Sequence, residues 1–297
     1  MKAPKLAVVG VPTAAGARRP SIARAPLALR DSGLLAALAA DGTRVVNLSD
    51  LSLFPHREDD AHPRARNAEV VACAVRTAAD EMGRALDEGF TLVLGGDCTI
   101  AAGVAAGIRA KLGQDIGIVY LDGHADLHTP ETTTSGYLEG MALALALGQG
   151  PEAVVSAGGP PPSVRPERVA LLGVRDWEAG EPERAKTLAL TLSPEEMQAQ
   201  GMAAVAARAL EAVGPGPVMV HLDLDIIRTE DMPAVEVPTP GGGLTLIEAA
   251  ELLRALLHPP RVVALTLVEY DPDRDPDRVY ARKVVDLVAS ALARRGA

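Results

Sequence analysis

Short, almost uninterrupted apolar runs recur along this chain, and several of them end in acidic or metal-ligating side chains. The runs are KLAVVGVP (5–12), TRVVNLS (43–49), TLVLGGD (91–97), IGIVYLDGH (116–124), RVALLGVRD (168–176), PVMVHLDLD (217–225) and RVVALTLVEYD (261–271). They are continuous rather than alternating, as expected of strands covered on both faces in a parallel sheet. Segments with helical periodicity lie between them. The first is 26–40, with Leu27, Leu34, Leu35 and Leu38 at helical spacing; the others are 68–89, closed by Gly89, then 99–112, 137–148, 194–213, 245–257 and 276–295. Alternation of this kind predicts an α/β fold with a parallel sheet. The stretch 150–166 is rich in Pro and Gly, but the alternation resumes beyond it, so it reads as a surface loop within one domain spanning 1–297. A chain of 297 residues that is 48% hydrophobic can bury one large core.

The polar residues cluster where the predicted strands end. Gly95-Gly96-Asp97-Cys98 follows TLVL, Asp122-Gly-His124-Ala-Asp126-Leu-His128 follows IVYL, Asp223-Leu-Asp225 ends VMVHL, and Glu269 follows LTLV. Ligand crevices of open α/β sheets lie at the carboxyl ends of the strands. Alternation along extended backbone puts Asp223 and Asp225 on one side, and gives Asp122, His124 and Asp126 the same period. Several carboxylates buried together need compensation. These motifs bring no matching set of Lys or Arg, which leaves one or two divalent cations as the natural partner. Taken singly, Asp-x-Asp also suits a solvated turn or helix cap, and Gly-Gly-Asp is ordinary turn chemistry.

Composition removes other classes. With 39 Asp and Glu against 29 Lys and Arg, the formal charge is −10, unsuited to sequence-independent nucleic-acid binding or to docking on anionic lipid. Aromatic residues make up 2%, too few for a base-stacking platform. Cys73 and Cys98 cannot form a disulfide framework, so a reducing, cytoplasmic setting is expected. No apolar run approaches the roughly 20 residues of a membrane helix, and the start MKAPKLAVVGVP lacks the apolar core and cleavage site of a signal peptide. The glycine-rich GVPTAAG and GGGLT lack the Gly-Lys-Ser/Thr of a phosphate loop, and no Gly-x-Ser-x-Gly elbow occurs.

As a set, these motifs resemble the ureohydrolase superfamily of arginases, agmatinases and related amidinohydrolases. The resemblance covers most of the chain. It runs through Pro26-Leu-Ala-Leu-Arg30, the arginase-type signature DGHADLHTPETTTSGYLEGM from Asp122 to Met141, and Gly173-Val-Arg175-Asp176. It continues through His221-Leu-Asp223-Leu-Asp225, Pro240-Gly-Gly-Gly-Leu-Thr and Val268-Glu269-Tyr-Asp-Pro272. It implies a three-layer α/β/α sandwich around an eight-stranded, mainly parallel sheet, and two manganese ions. The first ion would sit at the Cys98 position with Asp122, Asp126 and Asp223. The second would sit at Asp122, His124, Asp223 and Asp225. The implied reaction is attack of metal-activated water on a guanidinium carbon, giving urea and an amine. Asp126 would orient the water and carry its proton, and Glu269 would hold the substrate cation. A small guanidino, amidino or formimino compound is the implied partner, and a homo-oligomer, trimer or hexamer, the implied assembly.

Three positions depart from the family pattern. Cys98 stands where the family has a histidine ligand: a thiolate there would favour zinc, iron, cobalt or nickel, while a plain buried thiol would weaken the first site, and a nucleophile is a third reading. Glu139 replaces a histidine proposed to shuttle protons; it could do acid–base work, bind a second cationic group of the substrate, or face solvent. His128 replaces an asparagine that contacts the amino-acid end of the substrate; it could shuttle protons, add a metal ligand, or be a solvated loop residue. Ser135 is kept at a substrate-binding position. His56, His62 and His258 read as loop residues, Cys73 as core, and His221 as pointing away from Asp223 if pairing is regular. The departures admit a second reading, a non-catalytic or single-metal relative acting as a binding, scaffold or regulatory protein.

Overall fold

The computed structural model describes residues 5–293 and Arg295. The start of the chain at residues 1–4 and Arg294 of the last predicted helix lie outside the described residues. The strands are β1 (Lys5–Val11), β2 (Arg44–Asp50), β3 (Phe90–Gly95), β4 (Gly117–Leu121), β5 (Val169–Leu172), β6 (Leu190–Leu192), β7 (Val218–Asp223) and β8 (Val262–Val268). They form one eight-stranded sheet in the order β2-β1-β3-β8-β7-β4-β5-β6. Every pairing is parallel. The sheet is therefore the one expected, with β6 as an edge strand that the sequence reading did not identify.

Apolar residues on both sides of the central strands feed two separate cores. Leu92, Leu94, Val119, Leu121, Val218, Val220, Leu222, Leu265 and Leu267 pack against one helical layer. Val93, Ile118, Tyr120, Met219, Ala264 and Val268 pack against the other, with residues of helices Ala68–Glu88 and Ile100–Leu112. The predicted helices form, with breaks where glycine takes a left-handed conformation. The 26–40 segment divides at Gly33 (φ 94°) and the 194–213 segment at Gly201 (φ 82°). The 150–166 stretch contains a short helix, Glu152–Val155, whose Val154 and Val155 are buried. Cys73 is exposed rather than core. Among the described residues, no helix is long and apolar enough to cross a membrane.

Strand order decides where the chemistry lies. β3, β8, β7 and β4 are consecutive in the middle of the sheet, although they are far apart in sequence. The loops leaving them carry Asp97-Cys98, Glu269, Asp223-Leu-Asp225 and Asp122-to-His128. The first of these turns is very tight: a Cβ on Gly96 would lie 1.7 Å from the carbonyl oxygen of Thr13. Asp97, fully buried, ties the same region together by accepting from the Thr13 hydroxyl at 3.1 Å and from the Gly16 and Thr99 backbone N–H groups. Gly96→Ala is expected to lower stability by about 1–3 kcal/mol through forced backbone displacement, read as a fall in the denaturation midpoint. An unchanged midpoint would show that the turn yields freely.

Candidate metal centre

β7 supplies the centre with His221 and Asp223. Because Val218, Val220 and Leu222 face one core, His221 and Asp223 share the opposite side with Met219. This corrects the expectation that His221 points away from Asp223: positions two apart on a strand share a face. Asp122 continues the same face of β4 after Ile118 and Tyr120. Asp122, Asp223, Asp225, His221 and Cys98 are all 4% exposed or less.

Short hydrogen bonds hold the acids in place. Asp122 accepts from the His124 backbone N–H at 2.6 Å, and Asp223 accepts from that of Asp225 at 2.8 Å. Asp225 accepts from the Gly123 N–H at 2.8 Å and the Thr239 hydroxyl at 2.6 Å, and its Oδ2 lies 2.7 Å from His124 Nδ1. The Cys98 thiol donates to Asp223 at 3.2 Å, and the Cys98 backbone N–H donates to Glu269 Oε1 at 3.0 Å. Asp126 and Glu269 have φ of 53° and 68°. Such backbone costs about 1–3 kcal/mol per non-glycine residue and concentrates at functional sites.

Electrostatics show what the cluster lacks. Burial, followed by repulsion from Asp126 on Asp122 and from Asp225 on Asp223, holds both well above the usual carboxylate range. Burial raises Asp126 to about 7 despite the Tyr120 hydroxyl, which donates to it at 2.6 Å. Burial, then Glu139 and Asp223, raises Glu269, and burial, then Glu236 and Asp97, raises Glu139. Burial opposes charge on both His124 and Asp225, but their pairing prevails, taking His124 up to about 10 and Asp225 down to about 2. Burial lowers His221 to about 3. These groups cannot all carry their ordinary charge without a cation among them.

Donor atoms of several residues lie close enough to share an ion. Asp122 with His124 and Asp225 forms one group, Cys98 with Asp223 and Glu269 a second, and Cys98 with Asp122 and His221 a third, the atoms of each within 4.8 Å of one another. Asp122 Oδ2 and His221 Nε2 are buried without a hydrogen-bond partner. Orphaned buried polar atoms cost about 1–3 kcal/mol each, so the donor set fits a divalent cation by chemistry and by unmet need. Asp126 lines the same pocket but belongs to none of these groups.

The remaining candidates line the pocket or its rim. Glu139 is half-buried, with its Oε2 out of contact with solvent, and its carboxylate groups within 4.8 Å with those of Glu236 and Glu269. Glu236 had no signal in the sequence; an antiparallel bridge between Val235 and Tyr270 and a 3.1 Å bond from its N–H to the Glu269 carbonyl bring it in. His128 is 7% exposed, with Nδ1 3.1 Å from the Thr132 hydroxyl and Nε2 3.1 Å from Glu178. It is therefore neither a solvated loop residue nor, among the described residues, part of a metal-sharing group. Ser135 lines the pocket and its hydroxyl accepts from the Tyr137 N–H at 3.3 Å. His62 is exposed, whereas His56 is largely buried, its ring 6.5 Å from that of Tyr137.

Metal uptake near neutral pH is expected to release protons, because the His124 imidazolium, held up to about 10 by Asp225, must give up its proton to ligate. Affinity should then rise with pH. Calorimetry in buffers of different ionisation enthalpy measures the release; a titration without it would contradict this electrostatic picture.

The profile of the arginase family matches residues 4–293. An arginase of Brevibacillus brevis is 34% identical over 292 residues, covering 97% of each chain. The structure of Bacillus caldovelox arginase superposes with a TM-score of 0.89 at 30% identity, covering 99% of this chain and 100% of that one. A formimidoylglutamase of Bacillus subtilis shares the fold alone, with a TM-score of 0.78 at 18% identity over 98% of this chain and 87% of that one.

Proposed function

We propose a reaction for this chain from one premise: it belongs to the arginase family. Membership makes it a hydrolase of C–N bonds in linear amidines and implies a divalent metal. The finer reading is hydrolysis of a small guanidino compound to urea and an amine. The observation that carries it is a single pocket in which Cys98, His124, Asp223 and Asp225 adjoin Asp126, Glu139 and Glu269. No observation favours the alternative of a non-catalytic relative.

Asp122, His124, Asp223 and Asp225, with Cys98, would hold the metal. When bound, the metal supplies Lewis acidity and lowers the pKa of a water from about 15.7 toward about 7. Asp126, fixed by Tyr120 and poised near neutrality, is suited to take a proton from the attacking water and deliver it to the leaving nitrogen. Glu269, fixed by the Cys98 N–H, receives the substrate cation through charge-assisted hydrogen bonds. Glu139 sets a second carboxylate beside it, so this end of the pocket favours a group rich in N–H donors. Ser135 and His128, which line the same pocket, with Glu178 beside the imidazole, would hold a polar tail of the substrate. The Cys98 thiolate would shift metal preference from manganese toward zinc, cobalt, nickel or iron.

The test is turnover of a panel of guanidino and formimino compounds by protein supplied with manganese, zinc, cobalt or nickel. Urea from a guanidino compound, or formamide and an amine from a formimino compound, should appear only with metal. Metal-loaded protein inert toward the whole panel would overturn the assignment. Glu269→Gln should lower kcat/KM for the substrate so found by about 10–150-fold, the worth of a hydrogen bond to a charged group.

A further inference from the structure

His221 takes no part in the reaction as derived, yet it is fully buried beneath the centre. Pairing registers place Tyr120, His221 and Thr266 side by side on β4, β7 and β8. The imidazole stacks on the Tyr120 ring with centroids 4.2 Å apart, which fixes its plane. Its Nδ1 lies 2.6 Å from the Thr266 hydroxyl oxygen, while Nε2 has no partner. One ring nitrogen lies within 4.8 Å of donor atoms of both Cys98 and Asp122. With Nδ1 committed to Thr266, Nε2 is the nitrogen left for a ligand.

We propose that His221 is a metal ligand, completing with Cys98 and Asp122 a thiolate–imidazole–carboxylate site for a borderline divalent ion such as zinc or cobalt. The inference rests on the metal-dependent reading above and extends it. The chain lacks a histidine at position 98 but brings one within 4.8 Å of the Cys98 sulfur from β7, two strands away from β3 in the sheet. Thr266 then has the part usual for the outer partner of a ligating histidine: it accepts the Nδ1–H, fixes the tautomer and aims Nε2. Metal–ligand bonds of about 2.0–2.3 Å would draw the three donors around one ion. The Asp122, His124 and Asp225 group remains as a harder neighbour, so the two sites should differ in metal preference.

Full-length protein titrated with cobalt tests this through bound-metal stoichiometry and the near-ultraviolet charge-transfer band of a cobalt–thiolate bond. The wild type should show the band. His221→Ser should weaken cobalt at the band-bearing site by more than the about 10–100-fold that losing an outer-shell partner costs, while the other site keeps its ion. Thr266→Val, close in shape, should weaken it by about 10–100-fold and serves if His221→Ser does not fold. A band of unchanged intensity and affinity in His221→Ser, or in Thr266→Val where that variant stands in, would overturn the proposal. So would wild-type protein that binds cobalt without the band, leaving the hydrolase reading intact. Wild-type protein that binds no metal at all would overturn both.

Discussion

Carboxylates buried at the carboxyl edge of the central strands impose the demand around which the rest of this molecule is organised. Asp122, Asp223 and Asp225 are almost inaccessible, and Glu269 and Asp126 lie beside them. The protein offers this group little positive charge of its own: His124 pairs with Asp225, and among the described residues Arg18 is the one Lys or Arg lining the pocket. An arrangement of this kind is tolerable only if a cation belongs to it. The raised proton affinities of Asp122, Asp223, Glu139 and Glu269 are the same demand expressed in the ion-free protein.

The scaffold meets the demand through strand order and anchored loops. Setting β3, β8, β7 and β4 side by side brings residues more than a hundred positions apart into hydrogen-bond contact, as between Cys98 and Glu269. Asp97 resembles its ligand neighbours in sequence but has another purpose, since it is spent on Thr13, Gly16 and Thr99. Strained backbone at Asp126 and Glu269 is held by bonds on either side. The Asp126 carbonyl accepts from Ala144, and the Glu269 N–H donates to Gly96. Rigid second contacts of this kind let an active site keep side chains in orientations the chain alone would not choose.

Much of this was legible in the sequence because continuous apolar runs and their acidic ends are local signals. The three-residue β6 carries too short a pattern to stand out, and Gly33 and Gly201 were the visible marks of helix breaks that periodicity alone ran through. Cys98, Asp122, His124, Asp223, Asp225 and Glu269 announced themselves by residue type at strand ends. Glu236 did not, because it is long-range pairing, the Val235–Tyr270 bridge and the bond from its own N–H to the Glu269 carbonyl, that brings its loop to Glu269. His221 was hidden inside an apolar run, although its two-residue spacing from Asp223 was sufficient to place it on the same face. His128 is 7% exposed and Glu139 buries one carboxylate oxygen, because both lie in the segment after β4 that lines the pocket.

The central claim, that these buried acids form a cation centre, is tested most directly by anomalous diffraction from crystals of the full chain soaked in zinc or cobalt and measured on both sides of the metal edge. The account predicts anomalous density between Cys98, Asp122 and His221, and again between Asp122, His124 and Asp225. Crystals that take up the metal elsewhere while this crevice shows no anomalous density would contradict it.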